Sequence, residues 1–74
     1  PLTKSASDYK PGDIVTWRLG GSLPHIGIVT DRKANDGTPM IIHNIGIGPK
    51  EDNILFAYDM VGHYRFTPST SEEE

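Results

Sequence analysis

Three histidines, His25, His43 and His63, are the side chains of this 74-residue sequence whose charge changes near neutral pH. The first lies in LPHIGIVTD, residues 23–31, and the second in PMIIHNIGIGP, residues 39–49. A histidine at the end of a β-branched run is either a polar residue satisfied by backbone or a base. If one imidazole hydrogen-bonds another, the second fixes the tautomer and direction of the first, as nucleophilic catalysis requires of its base. His25 would then accept a proton from a thiol or, as imidazolium, stabilise a thiolate. The sequence has no cysteine, so that thiol would come from outside these residues. Ser22 sits in a Gly-rich loop without the strained strand-to-helix elbow of serine hydrolases and is a poor substitute. Zinc would accept His25, His43 and either Asp31 or His63, but no short His-x-x-x-His spacing occurs, and no metal or cofactor is expected. His63, in Gly62-His63-Tyr64, reads as an ordinary edge-strand residue.

The elements that must hold these histidines are short strands. Pro11-Gly12 signals a turn, and residues 14–17, IVTW, read as a first strand. Residues 19–24 read as a flexible loop. A second strand covers residues 25–30 and a third residues 40–45, with Asp36-Gly37 as the hairpin signal between them. Gly46 to Pro49 ends the third strand. Residues 53–58 suit a fourth strand or one helical turn, and residues 61–66 alternate like a final strand. The even offset of 18 between His25 and His43 places both on one face of the hairpin. Gly27 shares that face and leaves room for another group, while Ile26, Ile28 and Thr30 take the opposite one. The expected fold is mainly β, a small curled antiparallel sheet or partial barrel. It divides into a polar segment at residues 1–10, the sheet at residues 11–66 and an acidic, disordered tail at residues 67–74.

Composition excludes several classes. The formal net charge is −3 without any Lys/Arg run, so nucleic-acid binding is not expected. No apolar stretch approaches the roughly 18 residues that cross a bilayer, and the first residues lack the basic-then-apolar pattern of a secretory leader. A domain this small buries only about 60% of the surface its unfolded chain exposes, so its core is modest.

The ordered set PGDIV, HIGIV and IIHN resembles the C-terminal half of the NlpC-type papain-like cysteine peptidases of bacterial cell walls. The fuller set PGDIVTW, LPHIGIVTD, PMIIHNIGIGP and GHYRF is similar to a bacterial family catalogued as a domain of unknown function. The resemblance implies that this is the sheet half of an α+β papain-like fold, with His25 as general base and His43 as the residue that orients it. Asn44, on the other face, fits the orienting role less well; Asp13 and Trp17 match positions that shape the first strand. The hairpin between the histidines is longer than is usual in such peptidases. By the same resemblance the nucleophile is a cysteine at the start of an upstream helix, so a cysteine-bearing segment or chain is the expected partner. An uncovered apolar face is expected where helices pack. The implied reaction is amide hydrolysis in peptidoglycan-like peptides, periplasmic or secreted, with no activity from this chain alone. The competing readings are a small β-barrel binding module with Trp17, Tyr58 and Tyr64 as its aromatic platform, and an inactive scaffold.

Overall fold

The sheet begins where Lys10-Pro11-Gly12-Asp13 turns the chain. Proline presets the second position, Gly12 takes φ +92° at the third, and the Asp13 N–H donates to the Lys10 carbonyl at 3.0 Å. The computed structural model describes residues 2–66, so the proposed acidic tail lies outside the described residues. A 3-10 turn, Ala6–Asp8, precedes five strands: β1 Ile14–Leu19, β2 Leu23–Lys33, β3 Pro39–Ile45, β4 Gly48–Asp52 and β5 Asp59–Tyr64. They form one antiparallel sheet in the order β4-β3-β2-β1-β5. The sheet is open, with β4 and β5 as its edges, and is not closed into a barrel.

The observed elements depart from the expected ones in three places. Gly46 ends β3 as expected, but residues 48–52 form a further strand that the sequence reading does not contain. Ile45 pairs with Gly48 across a two-residue turn in which Gly46 has φ +46°, and the chain returns as β4. Pro49 is tolerated because β4 is an edge strand and one side of it needs no ladder donor. Residues 53–58 form neither a strand nor a regular helix; they are an irregular turn laid across the sheet. The expected loop at residues 19–24 is also shorter, because Leu19 already pairs with Leu23. Pro24 lies in β2 at an end where β3 has not begun to pair, since the β2–β3 ladder starts at Gly27↔His43.

Alternation along the strands divides the sheet into two unlike faces. The inner face carries Val15, Trp17, Val29 and Ile41, which are buried with Tyr9 and Leu55, while Leu19, Ile54, Phe56 and Met60 pack around them. The Trp17 indole N–H donates to the Leu55 carbonyl at 2.9 Å, fastening the irregular turn over the core. A bulge places Thr16 opposite Gly62 but Trp17 opposite Met60, so both Met60 and His63 face inward. The outer face is open: Ile26, Ile28, Ile42 and Tyr64 are 59%, 48%, 43% and 58% exposed.

Candidate active site

His25 and His43 do share the inner face. The register sets His43 opposite Gly27, one diagonal step from His25, within reach of an imidazole. The rings meet edge to face, with centroids 5.0 Å apart and planes at 84°. His25 Nε2 lies 2.8 Å from His43 Nδ1, a hydrogen bond. Gly27 is small for a physical reason: a Cβ there would lie 2.5 Å from Ile41 Cγ2 and 3.0 Å from the Trp17 ring. The space that it leaves brings the indole close to His25, with Trp17 and His25 ring centroids 5.8 Å apart.

The pair extends to a residue the sequence reading did not select. His43 Nε2 lies 2.8 Å from Asp52 Oδ2. Asp52 sits at the end of β4, opposite Ile41, and so belongs to the same face as His43. Had Gly46-Ile47 been read as a two-residue hairpin turn, alternation along Gly48–Asp52 would have indicated this residue. The His43 side chain is only 5% exposed, whereas that of Asp52 is 32% exposed. Burial first, and the neighbouring His43 second, hold His25 below the ordinary histidine value. Near neutral pH His25 is therefore in its basic, neutral form. Among the described residues its Nδ1 has no hydrogen-bond partner, so one nitrogen of the ring is bound and the other is free. An open groove of about 380 Å³ touches His25, but Thr16, Ile26 and Asn44, which line it, alternate onto the outer face, away from the imidazole pair.

The other candidates lie elsewhere. His63 belongs to a separate cluster: its Nε2 is 2.7 Å from Asp13 Oδ2, and its ring stacks on Tyr9 at 4.3 Å. Arg65 Nε and Nη2 donate to the two Asp13 oxygens at 2.8 and 2.7 Å, and the Lys10 N–H donates to the same carboxylate at 3.0 Å. His63 thus has a buried carboxylate as partner rather than the plain edge-strand setting expected of it. Asp13 and Trp17 are both buried, in keeping with structural roles. The aromatic platform does not form, because Trp17 is buried on the inner face while Tyr64 is exposed on the outer one. Asn44 is exposed and points away from the histidine pair. Among the described residues no group of three His, Asp or Glu side chains is arranged to hold a metal ion.

Comparison with known proteins gives a family. The model of the family described as "Domain of unknown function (DUF1287)" matches residues 1–66. "Uncharacterized protein YijF" of Escherichia coli (strain K12) is 58% identical over 66 residues, covering 89% of this chain and 32% of the relative. The chain therefore spans about a third of the length of the curated relative it matches. No solved structure gives a significant match.

Proposed function

The chain belongs to the DUF1287 family, and on that premise we propose that it is the histidine-bearing sheet of a bacterial cysteine amidase or peptidase. The observation that carries this reading is the 2.8 Å bond between His25 and His43, which leaves one neutral, oriented imidazole with a free nitrogen. His25 is the general base and His43 orients it. The nucleophile is a cysteine on a segment outside this chain that reaches the inner-face ring of His25; the exposed Ile26, Ile28 and Ile42 of the outer face form a separate surface for a protein contact.

His25 takes the thiol proton, and the thiolate attacks the amide carbonyl carbon. His25 then returns that proton to the leaving nitrogen as the C–N bond breaks and a thioester forms. Water, deprotonated by the same ring, attacks the thioester, expels the thiolate and releases the acid. The substrate is an amide of peptidoglycan-like stem peptides, and the reaction takes place in the periplasm or outside the cell.

The test uses the full-length product of the gene, with peptidoglycan fragments as substrate and mass spectrometry of the products. Wild type releases new amine ends, and His25→Ala lowers turnover by about 10²–10⁴-fold, with the fold retained. His43→Ala gives a smaller loss. Turnover unchanged in His25→Ala removes the base role, and a full-length product that cleaves no amide leaves the sheet as a binding scaffold.

A further inference from the structure

We propose that Asp52 is a positioning residue that selects the reacting nitrogen of His25 through two successive hydrogen bonds, an inference that rests on the proposed general-base role of His25. The hydrogens along His25, His43 and Asp52 can be placed one by one. An ionised carboxylate has no hydrogen to donate, so the hydrogen of the 2.8 Å contact with Asp52 sits on His43 Nε2. In the neutral His43 ring, Nδ1 is then a lone pair and accepts from His25 Nε2. The neutral His25 ring is left with its lone pair on Nδ1, the nitrogen without a partner among the described residues. One carboxylate on an edge strand thereby sets both tautomers and fixes which side of His25 accepts a proton.

Without that carboxylate the order can reverse. His43 can carry its hydrogen on Nδ1 and donate it to His25 Nε2, which places the His25 hydrogen on Nδ1 and blocks the reacting side. Asp52 is open enough to water for substitution to leave the core alone, since its side chain is 32% exposed and contributes to no buried cluster.

The experiment is imidazole nitrogen NMR on the full-length gene product at about pH 8, above the ordinary histidine value. Chemical shifts distinguish a protonated, pyrrole-like nitrogen from a lone-pair, pyridine-like one. In wild type both His25 and His43 are expected to be protonated at Nε2 and pyridine-like at Nδ1. Asp52→Ala is expected to give averaged shifts on both rings, and Asp52→Glu, which keeps an acceptor, to restore the wild-type pattern. In the hydrolysis assay Asp52→Ala is expected to lower kcat about 10-fold or more with KM held, a part of the loss in His25→Ala. Wild-type shifts retained by both rings in Asp52→Ala, or a hydrogen on Nδ1 of either ring in wild type, would overturn the proposal. The shifts are read without substrate, so absence of hydrolysis in wild type would count against the proposed reaction and leave the role of Asp52 to be decided by the spectrum.

Discussion

Asp13 is the most confined charge among the described residues, at 1% exposure. A buried carboxylate is costly unless it is paired and hydrogen-bonded. Here the Arg65 guanidinium first, with His63 and the Lys10 N–H adding to it, outweighs burial and holds the Asp13 carboxyl well below the usual carboxylate range. The sign of the linkage follows. A carboxyl depressed in the folded state contributes stability that is complete above its unfolded value, near pH 4, and is lost as pH falls from there toward the folded value. His25 acts over a different window. Its depressed folded value means that the unfolded chain takes up a proton below about pH 6.5 while the folded chain resists it, so stability declines on acidification from there. Denaturant titrations followed by the single tryptophan should therefore show two acid-side losses. Asp13→Asn is expected to be less stable at pH 7 and to show a shallower fall below about pH 4, where Asp36 and Glu51 are also held low, while keeping the decline that begins near pH 6.5. A wild-type curve flat between pH 4 and 2 would contradict the assignment to Asp13.

At the scale of elements, the close contact of β1, β2 and β3 depends on Gly27. Because a Cβ there would meet Ile41 Cγ2 at 2.5 Å and the Trp17 ring at 3.0 Å, Gly27→Ala has to displace the core or the sheet. The expected cost is about 1–3 kcal/mol, read as a lower urea midpoint with a similar slope; an unchanged midpoint would show that the inner face is looser than this packing. The inward role of Gly27 was legible in the sequence because His25, Gly27 and Val29 alternate with exposed Ile26 and Ile28. The meeting of His25 with His43 was legible from the same parity and an Asp-Gly turn. β4 was not, because Gly46, Gly48 and Pro49 carry breaker chemistry that also builds a tight hairpin with an edge strand, and Asp52 went unnoticed with it. Nor was the bulge in β5. Simple alternation puts Met60 with Gly62 and Tyr64, whereas the extra residue turns Met60 and His63 inward together, and it is this turn that gives Asp13 its second partner. The irregular turn at residues 53–58 is held by Leu55 and the indole of Trp17, a tertiary contact across 38 residues that no local pattern announces.

For the molecule as a whole, one side of the sheet buries its apolar residues and the other leaves Ile26, Ile28, Ile42 and Tyr64 exposed. Contiguous apolar surface of this kind drives association. Residues 1–74 alone are expected to self-associate with rising concentration in sedimentation velocity, and Ile28→Thr with Ile42→Thr to shift them toward monomer while the inner-face histidine bond persists. A monomer at all concentrations would show that the polar residues bordering the face suffice to keep it in water.

The strand order also has a consequence for the order in which the ribosome releases the parts. β2, β3 and β4 are successive hairpins, so His25, His43 and Asp52 can come together from neighbouring stretches as soon as residue 52 is free. β1 lies beside β2 but waits for β5 to cover its other edge, and Asp13 waits for Arg65, 52 residues later. During synthesis the nascent sheet therefore carries an assembled histidine chain beside an uncapped strand and an unneutralised carboxylate. Its exposed backbone edge is open to wrong partners until the final strand emerges.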